Sequence, residues 1–155
     1  MAMRDDYLYP VLLLVAVNLM ATKGYGQDRI RLDDYRWRNR LIVAFAPSSD
    51  DPGYKALSQT LAIRQEEVID RDILVFHILE TGEVRRGNAN LPAGSGDYLK
   101  QRYSIEPGKF TALLIGKDGG EKLRREDRVE LDEVFSLIDS MPMRQREMRE
   151  KASNR

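Results

Sequence analysis

Three short runs in this chain are almost wholly apolar: Leu41–Ala46 (LIVAFA), Ile73–Leu79 (ILVFHIL, broken only by His77) and Phe110–Ile115 (FTALLI, broken only by Thr111). A strand with one wet face alternates apolar and polar residues. A run without that alternation fits a strand covered on both faces. Three such strands in one chain require helices on both sides of a shared sheet, which selects an α/β domain.

The intervening segments supply those helices. Asp51–Ile69 reads as a helix, with Pro52 in its first turn and Tyr54, Leu57, Leu61 and Val68 near one face. Strand, helix and strand make a βαβ unit, expected to be parallel and right-handed. Thr81–Gly96, rich in Gly and Asn and with a Pro, reads as a long loop. Its Arg85-Arg86 pair is read as solvated charge, with anion binding as the sharper alternative. Asp97–Tyr103 forms a short helix with Ser95 as its N-cap. Lys117-Asp118-Gly119-Gly120 carries the Asp-Gly signal of a hairpin, leading into Glu121–Arg124. In Leu131–Ser140, the residues Leu131, Val134, Phe135 and Ile138 repeat with helical spacing, and Pro142 breaks or kinks that helix. Beyond it, Arg144, Arg146 and Arg149 interleave with Glu147 and Glu150, the pattern of a solvated, fraying helix face. Ahead of the first strand, Gln27–Asn39 is a polar lead-in expected to pack on the domain through Trp37.

Composition sets the limits of function. A length of 155 residues holds one domain with a real core. The 25 basic and 25 acidic residues cancel, so nothing favours non-specific nucleic-acid binding. With no cysteine there is no disulfide, thiolate nucleophile, zinc–thiolate site or thiol redox cycle. A Ser-His-Asp triad or a histidine metal site would have to use the single histidine, His77, and no metal or cofactor is expected.

Tyr7–Ala21 is apolar and uncharged, but shorter than the roughly 20 residues that span a bilayer. It fits the core of a signal peptide, with Gly24 and Gly26 placed for cleavage before Gln27 and Ala21 as a second site. An uncleaved anchor is the alternative. The expected plan is a signal peptide over 1–26, the lead-in over 27–39, the domain over 40–141 and a charged tail over 142–155. The mature protein would be periplasmic or secreted and free of the membrane.

The order β-α-β-α-β-β-α, with a hairpin before the last helix, resembles the thioredoxin-like arrangement, a single domain with a central mixed sheet and helices on both faces. The likeness is strongest over Tyr103–Leu123 (YSIEPGKFTALLIGKDGGEKL). Thioredoxins place their redox cysteines after the first strand, where this chain has Ser48–Asp51. They place a cis-proline where it has Phe110. More specifically, RWRNRLIVAFAPSSDDPGY, RDILVFHIL, FTALLIGKDGGEKLR and LDEVFSLIDSMPMRQREM resemble the bacterial branch of the DUDES family, related to domains of equarin and sushi-repeat matrix proteins. The resemblance implies export and a thioredoxin-like fold, and no established reaction. A peroxiredoxin-like role suggested for the family needs a cysteine that this chain lacks.

Two clusters form the candidate ligand or partner surface: the turn Ser48, Ser49, Asp50 and Asp51, and the hairpin residues Lys117, Asp118 and Lys122. For the turn, helix capping is the simpler reading, with Asp50 as N-cap, Asp51 opposing the helix dipole and Ser48 outside the helix. A serine nucleophile there would need a base, and His77 lies mid-strand, where it is expected to pack on one sheet face. The leading expectation is an exported, non-enzymatic module that binds a protein or small ligand. The alternatives are an oxidative-stress-related, peroxiredoxin-like protein lacking its own thiol, and an enzyme using Asp50 and Asp51.

Overall fold

A computed structural model describes residues 29–92 and 94–154. The expected signal peptide lies outside them. The elements are β1 (Arg40–Ala46), α1 (Pro52–Ile63), α2 (Gln65–Asp70), β2 (Ile73–Leu79), β3 (Val84–Arg86), β4 (Ala89–Asn90), α3 (Ser95–Arg102), β5 (Thr111–Ile115), β6 (Glu121–Arg125), α4 (Leu131–Ser140) and α5 (Pro142–Ser153). One six-stranded sheet runs β4-β3-β2-β1-β5-β6. β1 and β2 are parallel, and all other pairs are antiparallel. The expected order and mixed sheet are present, extended by the β3–β4 hairpin and by α5. None of the described helices is long and apolar enough to cross a membrane.

The apolar runs are explained by what covers them. Ile42, Ala44 and Ala46 of β1 face a core built with Tyr54, Leu57 and Leu61 of α1 and with Val134, Phe135 and Ile138 of α4. Leu41, Val43 and Phe45 face a second core with Leu99 of α3 and with Ile30 and Leu32 of the lead-in. Alternation of side chains across the strand therefore meets apolar partners both ways, and every residue of β1 is buried.

Several expectations change, among them the cap of α3, which is Gly94 and not Ser95. The single helix over Asp51–Ile69 is two helices, because at Arg64 the backbone leaves helical dihedrals, with ψ at 29°. There the guanidinium joins Glu67 at 2.7 Å and Asp132 at 2.5 Å, and lies 4.6 Å from the centre of the Phe135 ring. The long loop contains β3 and β4, strands of three and two residues, too short to show a period.

Trp37 is not the anchor of the lead-in. Its side chain is 62% exposed. Anchoring falls to Ile30, Leu32 and Tyr35, whose ring meets Phe76 edge-on at 5.5 Å. Trp37 closes the turn into β1 with a left-handed backbone, φ 64°, and its N–H donates to the Lys117 carbonyl at 2.6 Å.

The charged tail is a 12-residue helix. Extended backbone at Met141, with ψ at 139°, ends α4, and Pro142 then opens α5 in a first turn that needs no proline N–H. Arg144 is 3% exposed rather than solvated, because carboxylates from two other segments meet it.

Candidate functional site

The turn after β1 is occupied by capping. Asp51, not Asp50, is the N-cap of α1: its Oδ1 accepts the Tyr54 N–H at 3.0 Å. The shift by one position follows from Pro52, which takes the first helical turn and leaves the preceding residue as the cap. Asp50 is exposed and pairs with Lys55 at 2.8 Å, which lowers its pKa. Ser48 Oγ accepts the Asp50 N–H at 3.2 Å, and Ser49 is exposed. Phe110, only 5% exposed, closes this place from the side. A β-carbon on Gly53 would stand 2.6 Å from Phe110 Cδ1 and 2.7 Å from the Asp127 carbonyl, so only glycine allows the ring so near the helix start.

His77 packs on the α1 side of β2, as expected, and it has company that the sequence did not reveal. Its Nδ1 lies 2.9 Å from the Tyr54 hydroxyl. Arg85, its neighbour across the β2–β3 ladder, donates to the same hydroxyl at 3.3 Å. The phenol thus accepts from Arg85 and shares a further hydrogen bond with Nδ1, its direction set by the imidazole tautomer. Burial, helped by the Arg85 charge, lowers the His77 pKa to about 4, so the ring is neutral. Arg85 also bonds Glu83 and the Gly87 carbonyl, and Arg86 donates to Tyr35 at 2.7 Å. Neither arginine is the solvated loop charge of the sequence reading.

Beside this trio runs a groove of about 430 Å³ between α1–α2 and the β2–β3 edge, lined by Ser58, Leu61, Val68, Ile69, Val75 and His77 among others. Ser58 Oγ is buried without a hydrogen-bond partner among the described residues. Arg85 and Arg86 also line it, and the groove can receive a largely apolar ligand carrying one or two polar atoms. A lone histidine in an apolar run was the only sequence signal for it. Among the described residues, no three His, Asp or Glu side chains group as metal ligands.

The hairpin cluster lies elsewhere. β5 is antiparallel to β1, with Ile115 opposite Leu41, so Lys117 sits at the amino end of β1 while Ser48–Asp51 follows its carboxyl end. A seven-residue strand, roughly 20 Å long, separates them. The seven candidate residues therefore do not form one surface. Asp118 pairs with Lys122 at 2.6 Å and accepts the Gly120 N–H at 3.0 Å, which shapes the turn.

Lys117 is 8% exposed and is withdrawn from any ligand: its Nζ bonds Asp72 and Glu147, each at 2.8 Å. Glu147, from α5, also holds Arg40, which is 1% exposed, at 3.2 and 3.3 Å. Burial alone would raise the Glu147 pKa, but hydrogen bonds from Lys117 and Arg40 outweigh it and lower the value. Arg144 joins Asp139 at 3.1 Å and Asp70, and Lys151 with Arg144 lowers the Asp70 pKa to about 2.

The chain is similar to solved thioredoxin-fold peroxiredoxins. A reduced 2-Cys peroxiredoxin of Plasmodium vivax superposes with a TM-score of 0.55 at 10% identity, covering 76% of this chain and 85% of that one. Thioredoxin peroxidase I of Plasmodium yoelii gives 0.55 at 13% identity, covering 76% and 80%. At such identities the likeness is one of fold. In sequence, the chain is 26% identical over 133 residues to coiled-coil domain-containing protein 80 of Danio rerio, covering 76% of this chain and 15% of that protein. It is 24% identical over 154 residues to sushi repeat-containing protein SRPX2 of Rattus norvegicus, covering 94% and 31%. The chain thus spans less than a third of the length of these relatives. Residues 31–147, from the lead-in to the glutamate of α5 that holds Arg40, match one family, and the chain belongs to it: the domain of unknown function DUF4174.

Proposed function

We propose that this protein is an exported, non-enzymatic binding module of the bacterial DUDES branch, built on a thioredoxin-like fold. The observation that carries the reading is the place where thioredoxins keep their redox pair. Here Asp51 caps the helix, Asp50 pairs with Lys55 and the Phe110 ring packs against Gly53, so that place holds no thiol and its carboxylates are engaged in structure. The most acid-shifted base in the core, His77, is turned to Tyr54 and the groove. The groove, mostly apolar but with Arg85 and Arg86 in its wall, gives such a module a seat for a small, largely apolar ligand.

The test is ligand carry-over. Protein purified from its native source should release a small molecule on denaturation, identified by mass spectrometry, and Ser58→Phe, which fills the groove, should carry markedly less. The same preparation should neither consume peroxide nor reduce disulfides. Turnover surviving metal removal, or equal carry-over by the filled variant, would overturn the reading. N-terminal sequencing of that preparation should begin at Gln27 or Thr22. An intact Met1 on cytoplasmic protein would refute export.

A further inference from the structure

We propose that the amino half of β2, with the groove beside it, takes up an extended peptide segment as a further strand. The inference rests on the binding-module reading, and the partner it names is a polypeptide backbone with an apolar side chain at every second position.

The backbone of β2 shows where pairing is left open. Successive residues of a strand direct their N–H and C=O groups to opposite neighbours. The even positions along this segment turn to β1: the Asp72 carbonyl accepts the Arg40 N–H at 2.9 Å, and Glu80 N–H donates to the Ala46 carbonyl at 3.0 Å. The odd positions turn to β3: Leu79 N–H donates to the Glu83 carbonyl at 2.8 Å, and the Val75 carbonyl accepts the Gly87 N–H at 3.1 Å. β1 accompanies β2 from Ile73 to Leu79, but β3 pairs only with Phe76–Ile78. At Gly87 the chain takes φ 54° and folds back as β4, which pairs with the other edge of β3. The Gly87 carbonyl accepts from the Arg85 guanidinium at 2.6 Å and not from Val75. The N–H and C=O of Ile73 and the N–H of Val75 therefore meet no partner among the described residues.

What lies beside this open edge decides the kind of partner. Ile73, Leu74 and Val75 carry none of the charges, prolines or bulges that usually protect an edge from pairing. Ile73 and Val75 turn their side chains to the groove, whose wall includes Val68 and Ile69 of α2. Ile69 is 63% exposed, a large apolar side chain that the fold itself leaves wet. A strand laid along Ile73–Val75 would answer the free backbone groups and carry every second side chain over Val68 and Ile69. In such strand addition the main chain supplies affinity and the pocket for alternate side chains supplies specificity. A helix has spent its own N–H and C=O groups on itself and cannot answer this edge.

The full protein is probed with a pool of acetylated heptapeptide amides that alternate Thr with Val, Ile, Leu or Phe. Residue-resolved hydrogen exchange should find the Ile73 and Val75 amides of the free protein fast and those of Leu74 and Phe76 slow. The pool should slow exchange at Ile73 about tenfold or more. Methylating alternate amides of a bound peptide should abolish binding in one register and spare it in the other, because only one set of N–H groups faces the protein. Val75→Pro removes an N–H that the fold does not use, at an edge where proline is tolerated. It should melt close to the wild type and bind the pool about tenfold more weakly or worse. Should Val75→Pro fail to fold, the methylation comparison decides by itself. Ligand carry-over is followed in parallel: carry-over without peptide binding removes this inference and leaves the seat for a small ligand, and peptide binding without carry-over does the reverse. Four results would overturn the proposal: an Ile73 amide already protected in the free protein, no slowing by the pool, binding indifferent to the methylation register, or protection that follows protein concentration without peptide, which would give the edge to a second copy of the chain.

Discussion

At the carboxyl end of β1, Asp50 stands in water beside Lys55 and Asp51 caps its own helix, each charge met by a partner a few residues away. At the amino end, Arg40 is 1% exposed and met by Glu147, a residue 107 positions further on. The same residue types do different work at the two ends. An exposed pair gains little, because water screens it and solvates either partner alone. A buried ion left without its partner is expensive, because nothing replaces the lost solvation. The end that resembles a catalytic turn is therefore the one where charge matters less, and the end that reads as a solvated tail is the one that closes the domain.

Substitutions should rank accordingly. Glu147→Ala strands Arg40, leaves Lys117 with Asp72 alone, and should cost about 3–5 kcal/mol in urea unfolding. A loss comparable to that of a surface pair would mean that water enters this end and the contrast fails.

Between the ends, His77 gives a pH test. Its folded pKa of about 4 lies below its ordinary 6.5, so the unfolded chain binds a proton in that window that the folded chain refuses. Its contribution is full above pH 6.5 and is lost as pH falls toward 4, by about 3 kcal/mol. In His77→Gln that part of the slope should vanish. An unchanged slope would place the acid sensitivity in the carboxylates of the amino end, whose lowered values bring their loss at lower pH.

The smallest effects belong to the turn. Asp51→Ala should cost about 0.5–2 kcal/mol through the lost cap, and Asp50→Ala less, since its pair with Lys55 is screened by water. Thermal melts of the two variants side by side check the order. The reverse order would return the cap to Asp50.

The three buried strands and α4 were legible because their apolar residues follow the period of the element and of the layers that cover it. The capping of α1 was legible in kind and displaced by one residue, since Asp50 and Asp51 are chemically alike and only the position of Pro52 distinguishes them. Arg144 and Lys117 were not legible. A charge alternating with its opposite along a helix reads as solvated, and the carboxylates that bury these two lie on other segments: Asp70 and Asp72 beyond α1, Asp139 on α4 and, for Lys117, Glu147 on α5. Trp37 reads as an anchor because large apolar residues usually go inside, and its left-handed backbone leaves no mark on the sequence. The Tyr54–His77–Arg85 trio joins a helix to two strands, and no linear spacing encodes it.

The bond between Arg40 and Glu147 has a bearing on how the molecule comes into being. Synthesis proceeds from the first strand to the last helix, so β1, the centre of the sheet, is made long before its counter-ion exists. Until α5 emerges, Arg40 and Lys117 have only Asp72 and backbone carbonyls to turn to. Contacts of such long sequence separation form late, after local pairings have brought the ends together. Assembly should therefore finish at the amino end of β1, with α5 seated last, so that the domain becomes fully native only once α5 has docked.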